Sequence, residues 1–144
     1  MNAYPDASFL CALYVPQANA DLASAHAATM QEPIHAASLL RFEACNAIRA
    51  AAFRKDMPGG VAVAALAAFD ADVDAGRLVI APVEWEAVHA EAERLSNAHT
   101  PWHGYSALDV VHVATALTLG AKVFLTFDKN QRRLAEAEGL KVKP

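Results

Sequence analysis

The chain switches repeatedly between short apolar runs and longer stretches with helical spacing, and this alternation constrains the fold more than any other feature. The short runs stand at residues 2–5, at Ile34-His35-Ala36-Ala37, at Leu78-Val79-Ile80-Ala81, at 122–127 and at Leu140-Lys141-Val142. Helical spacing fills 8–15, 19–30, a long stretch from Ser38 to about Lys55, and an alanine-rich stretch that follows Pro58-Gly59-Gly60 and ends at Gly76. It returns over 84–97, 106–120 and 129–138. Strands separated by helices predict parallel pairing, because a helix is the usual crossover that brings the chain back to the same end of a sheet. The expectation is therefore an α/β fold, with a mostly parallel sheet between helices, formed by residues 1–144 as one domain.

Local signals set the expected boundaries. Ser38 and Ser106 are good N-caps for the helices that follow them. Asn97 to Tyr105, with Pro101 and Gly104, predicts a loop. Pro5 lacks the N–H that a central strand needs, so the first strand is expected to end early.

Composition narrows the function classes. Hydrophobic residues make up 55% of the chain, much of it alanine, which suits close helix packing. No apolar run approaches the roughly 20 residues needed to cross a bilayer. The N-terminus has no basic stretch and Asp6 interrupts its only apolar segment, which argues against a secretory signal and for a cytoplasmic protein without membrane contact. Cys11 and Cys45 sit in separate apolar helical patterns rather than in a CxxC pair, as expected of reduced thiols. Twelve Lys and Arg against sixteen Asp and Glu leave a net charge of −4. That excludes a broadly basic nucleic-acid coat and leaves room for a local basic strip.

Four acids are out of place in this pattern. Asp6 follows Ala3-Tyr4-Pro5, Glu43 lies inside Leu39-Leu40-Arg41-Phe42-Glu43-Ala44-Cys45, Asp109 lies inside Leu108-Asp109-Val110-Val111, and Asp128 ends Val123-Phe124-Leu125-Thr126-Phe127. A carboxylate among core residues is costly unless it is paired, hydrogen-bonded or bound to a cation. In an open parallel sheet, ligands bind beyond the carboxyl ends of the strands, so acids distant in sequence can meet at one edge. Oxygen ligands without thiol or imidazole suit Mg²⁺ or Mn²⁺ rather than Zn²⁺. Two such ions roughly 4 Å apart can activate water and stabilise the leaving oxygen of a phosphodiester. The simpler alternative is that Asp6 and Asp128 cap the helices after them. Capping leaves Glu43 unexplained.

Four segments in order then carry a resemblance: Tyr4-Pro5-Asp6-Ala7-Ser8, Ser38-Leu39-Leu40-Arg41-Phe42-Glu43-Ala44-Cys45-Asn46-Ala47-Ile48-Arg49, Leu108-Asp109-Val110-Val111-His112-Val113-Ala114-Thr115-Ala116 and Phe124-Leu125-Thr126-Phe127-Asp128. The chain resembles PIN-domain proteins of the VapC toxin type, found in bacterial toxin–antitoxin pairs. The resemblance implies a PIN-like three-layer α/β/α fold and a metal-dependent endoribonuclease. Asp6, Glu43 and Asp109 would hold the principal Mg²⁺ or Mn²⁺, and Asp128 would complete that site or a second one. Ser8, Asn46 and Thr126 would support the ligands. The same resemblance implies a homodimer held in check by a cognate antitoxin. The alternative is a non-catalytic PIN-like module that acts through an antitoxin-type partner.

Weaker signals surround these. Lys129, Arg132 and Arg133 follow Asp128, and Arg41 and Arg49 flank Glu43; each could contact RNA phosphates. Trp102, just ahead of the Asp109 helix, could stack on a base, or could seal the core with Tyr105. His112 lies one turn after Asp109 and is expected to be packed in or behind the site rather than to ligate metal. Glu86-Ala87-Val88-His89 is a single copy of a motif that di-iron bundles need twice. Asp70-Ala71-Asp72-Val73-Asp74-Ala75-Gly76 has its glycine one position late for a calcium loop, and reads as a helix end. A haloacid-dehalogenase-type phosphatase would need a second Asp where Ser8 stands, and a receiver domain would need acids grouped at the first strand.

Overall fold

The computed structural model describes residues 2–144. Among these described residues, five short strands are interspersed with seven helices: β1 (Ala3–Pro5), α1 (Ala7–Tyr14), α2 (Ala20–Ala28), β2 (Ile34–Ala36), α3 (Ser38–Phe53), α4 (Gly59–Asp74), β3 (Leu78–Ile80), α5 (Trp85–His103), α6 (Ala107–Thr118), β4 (Val123–Leu125), α7 (Lys129–Ala137) and β5 (Lys141–Lys143). Every strand pairing is parallel: β1 with β4, β4 with β5, and β2 with β3. β2 packs beside β1, so the strands run β3-β2-β1-β4-β5.

Pro5 explains why the hydrogen-bonded ladder is interrupted between β1 and β2. The Asp6 N–H bonds the Leu125 carbonyl at 2.9 Å, so the groups of Tyr4 and Asp6 face β4. By alternation, those of Ala3 and Pro5 face β2, where Pro5 has no N–H to offer. β1 is therefore not shortened: it reaches Pro5, and the missing donor weakens one flank. The Tyr4 hydroxyl helps to bridge the gap, accepting the Ala37 N–H at 3.4 Å.

The core lies between this sheet and the helices. Tyr4, Phe9, Leu10, Leu40, Phe69, Val88, Leu95, Val113, Phe124, Leu125 and Leu134 are fully buried, and each large apolar side chain contributes about 1.5–3 kcal/mol on burial. Among the described residues, no helix is long and apolar enough to cross a membrane.

The structure corrects several local expectations. Residues 97–103 are helical rather than a loop, and α5 continues through Pro101 to a left-handed Gly104 with φ of 65°. A proline in a helix interior costs about 3 kcal/mol, chiefly through a lost N–H bond. Here it sits in the last turn of a helix packed along α6, and that packing outweighs the loss. Ser38 is the first residue of α3 rather than its cap; Ala37 takes the cap position and makes no side-chain bond there. Glu84 likewise sits at the cap of α5, leaving Glu86 as the first-turn acid. β4 runs over Val123–Leu125 rather than to Phe127, although the Thr126 N–H still bonds the Lys143 carbonyl of β5 at 2.9 Å.

Candidate functional site

Asp6 is the first residue beyond β1, and the chain turns there into α1. It caps that helix: Oδ1 accepts the Phe9 N–H at 2.9 Å and the Ser8 hydroxyl at 2.6 Å. Oδ2 accepts the Thr126 hydroxyl at 2.5 Å. Asp128 does the same for α7, with Oδ1 accepting the N–H groups of Asn130 and Gln131, both at 2.8 Å. The two hydroxyls tie the strand ends together. Ser8 Oγ accepts the Phe127 N–H at 2.9 Å, and Thr126 Oγ1 accepts the Asp128 N–H at 2.8 Å. Each thus donates to Asp6 and accepts from the β4–α7 turn.

Asp6 has no solvent exposure. Burial pushes its carboxyl up, the Ser8 and Thr126 hydroxyls and the Phe9 amide pull it down, and the charge of Asp128 pushes it up again. Both aspartates therefore cap helices, as the simpler alternative has it; the buried Asp6 carboxylate is also bonded to Ser8 and Thr126, whereas the half-buried Asp128 meets that network through its backbone N–H.

Glu43 reaches the same region from α3. Its Oε2 accepts a hydrogen bond from Nε2 of His112 on α6. His112 is buried, while the Glu43 side chain keeps 28% exposure. Asp109 lies one turn before His112 on α6, so both project from a similar side of that helix. It is half-buried, and its backbone N–H is capped by Ser106 Oγ at 3.2 Å. Burial pushes the Cys11 thiol up to about 11, and the charges of Asp6 and Glu43 add to the rise, so this thiol lies in the field of both acids. Burial also raises the Tyr4 hydroxyl; the Ala37 amide and Thr115 oppose this, and the charge of Glu43 adds to it.

The structure therefore joins the Asp6 carboxylate directly to Ser8 and Thr126, reaches Asp128 through its backbone N–H, and joins Glu43 to the Asp109 helix through His112. Among the described residues, no three His, Cys, Asp or Glu side chains stand close enough together to enclose an ion. In kind, the donors fit a hard divalent cation: carboxylate and hydroxyl oxygens at one sheet edge, with a fully buried aspartate whose negative charge is short of compensation. Asp6, Glu43, Asp109 and Asp128 are the residues that could hold it.

The flanking residues divide. Arg41 pairs with Asp70 at 2.8 Å and, with Arg49, lines a groove of about 260 Å³ between α3 and α4. Arg132 bonds the carbonyls of Thr126 at 3.3 Å and Pro144 at 2.9 Å, so it braces the β4–α7 turn. Arg49, Arg133 and Asn46 are exposed. Trp102 is 80% exposed whereas Tyr105 is buried, so only the tyrosine seals the core. Glu86 and His89 lie on the exposed face of α5.

The bond from His112 to Glu43 is the one feature of the site that reasoning from sequence missed. Its only sequence signal is the three-residue spacing from Asp109, which gives a direction on a helix and says nothing of α3.

The model of the family described as the PIN domain matches residues 3–137. Among solved structures, the chain is similar to VapC20 of Mycobacterium tuberculosis, described as a sarcin–ricin loop cleaving toxin, with a TM-score of 0.70 at 19% identity, covering 99% of this chain and 100% of that one. It is also similar to PAE2754 of Pyrobaculum aerophilum, with a TM-score of 0.62 at 20% identity over 99% and 90% of the two chains. A third likeness is to VapBC-1 of nontypeable Haemophilus influenzae, with a TM-score of 0.64 at 12% identity over 99% and 97%. At these identities the likenesses speak for the fold. No curated protein matches the sequence.

Proposed function

Because the chain belongs to the PIN domain family, we propose that it is a metal-dependent endoribonuclease of the VapC toxin type, working as a single domain in the cytoplasm. The observation that carries this reading is the buried Asp6 carboxylate, held by Ser8 and Thr126 beside Asp128 at the carboxyl ends of β1 and β4. Hydroxyls rather than a cationic side chain compensate it, which leaves the site suited to a cation from solution.

Asp6, Glu43 and Asp109 would hold Mg²⁺ or Mn²⁺, and Asp128 would complete the set. When bound, the ion supplies charge stabilisation on the scissile phosphate and makes water a better nucleophile at neutral pH. Ser8 and Thr126 keep both oxygens of Asp6 in fixed directions. Asn46, one turn beyond Glu43 on α3, supports the open side. Arg49, Arg133 and Trp102 are free to meet phosphates or a base; Arg41 and Arg132 would have to exchange an internal partner to do so. The partners of this reading are RNA, a second copy of the chain and a cognate antitoxin. The similarity to a sarcin–ricin loop cleaving toxin supports the substrate class.

The test is cleavage of RNA by the purified chain in Mg²⁺ or Mn²⁺. Activity is expected to vanish in EDTA, to return with either ion, and to be lost in Asp109→Ala while the variant stays folded. Cleavage that persists in EDTA would remove the metal from the reading. A chain that cuts nothing yet captures an antitoxin-type partner would be the binding module instead.

A further inference from the structure

His112 takes no part in the reading above, yet it makes the only protein hydrogen bond to the Glu43 side chain among the described residues. An ionised carboxylate can only accept, so the shared hydrogen comes from the imidazole: Nε2–H donates to Oε2. The donor is anchored and the acceptor is not. His112 is 1% exposed on α6, next to the fully buried Val113 and one turn before the buried Thr115 and Ala116. Glu43 is a long side chain, part-exposed, in the second turn of α3. Left alone it would sample many rotamers over the sheet edge. Bonded to His112, it has one oxygen fixed and the other, Oε1, without a protein partner.

We infer that His112 is the positioning residue for Glu43: its imidazole holds Oε2 so that Oε1 is presented to the cation. This rests on the proposed metal site. α6 then has two duties one turn apart, since Asp109 is itself a candidate ligand and His112 orients the ligand that arrives from α3. A hydrogen-bonded carboxylate ligand is the common arrangement around protein metals, and loss of the outer partner typically weakens metal affinity 10–100-fold. If His112 merely bridged α3 to α6, its removal would lower stability and leave the affinity of the folded protein unchanged.

The choice of substitutions separates these roles. The amide nitrogen of Gln falls near the place of the imidazole Nε2, whereas that of Asn falls near Nδ1 and is too short to reach Glu43. Mn²⁺ binding to the full chain is read by titration calorimetry or by loss of the free-ion spin-resonance signal, with thermal unfolding in parallel. His112→Asn and His112→Leu are expected to weaken Mn²⁺ binding 10–100-fold, and His112→Gln to recover most of it. Adding His112→Asn to Glu43→Gln is expected to cost nothing further. Wild-type affinity in a folded His112→Asn or His112→Leu protein would overturn the inference and leave the metal site standing. A wild-type chain that binds no Mn²⁺, or a Glu43→Gln variant that binds it normally, would overturn the site itself and the inference with it.

Discussion

Replacing Asp6 by Asn and by Ala separates its structural work from its chemical work. The amide keeps Oδ1 as a cap for the Phe9 N–H and an acceptor for the Ser8 hydroxyl. Its new NH₂ faces Thr126 Oγ1, which must then turn its own hydrogen toward Ser8 Oγ at 3.4 Å or the Asp128 carbonyl at 3.5 Å. That weakens one hydrogen bond, a loss of about 1 kcal/mol. Against it stands the relief of a buried charge whose ionisation burial disfavours. Asp6→Asn is therefore expected to stay within about 1 kcal/mol of the parent in the absence of divalent ions. Alanine loses the cap, about 1 kcal/mol, and leaves the Ser8 and Thr126 hydroxyls without their acceptor, roughly 1–3 kcal/mol for a buried donor. After the same relief of charge, Asp6→Ala is expected to lose about 2–3 kcal/mol, a large part of the roughly 5–15 kcal/mol of a typical domain. Urea unfolding in EDTA measures both, and an RNA cleavage assay accompanies it. Two inactive proteins of different stability are expected. An Asp6→Asn variant that cuts RNA at the parental rate would refute the chemical role, and one as unstable as Asp6→Ala would refute the account of the network.

Three further outcomes are expected. Asp128→Ala removes the acceptor for two N–H groups at the start of α7 and should cost about 1 kcal/mol by denaturation, with a smaller loss of cleavage than Asp109→Ala gives. Arg94 beside Glu138 holds that carboxyl below its ordinary range of about 4.5, with His99 adding to the effect against burial. A depressed carboxyl stabilises above its unfolded value and loses the contribution as pH falls through its folded one. Glu138→Gln should therefore cost at most about 1 kcal/mol at pH 7, discounted because Arg94 is half exposed, and nothing once the parent is protonated in acid; urea midpoints at the two pH values check this. Trp102→Ala should leave stability within about 0.5 kcal/mol and weaken RNA binding by about 1–3 kcal/mol if the indole stacks on a base, as fluorescence anisotropy would read. Unchanged affinity would remove Trp102 from the RNA surface.

The order of elements and the parallel sheet follow from the sequence alone, because apolar spacing and strand–helix alternation are local properties that each segment carries by itself. The same holds for the placing of Asp6 and Asp128 at strand ends, where a charged residue closes an apolar run. Other outcomes depended on neighbours far along the chain. Asn97 to His103 contains a proline and a poor helical pattern, and only packing along α6 decides that it is helix. Ala37 takes the cap in place of Ser38: β2 closes at Ala36, Ala37 still has extended backbone, and Ser38 is already helical. The direction of Glu43 was beyond any local signal, since its partner stands 69 residues away on another helix. Local spacing tells which face of a helix a side chain leaves from; the tertiary arrangement that brings α3 within side-chain reach of α6 decides what it finds there.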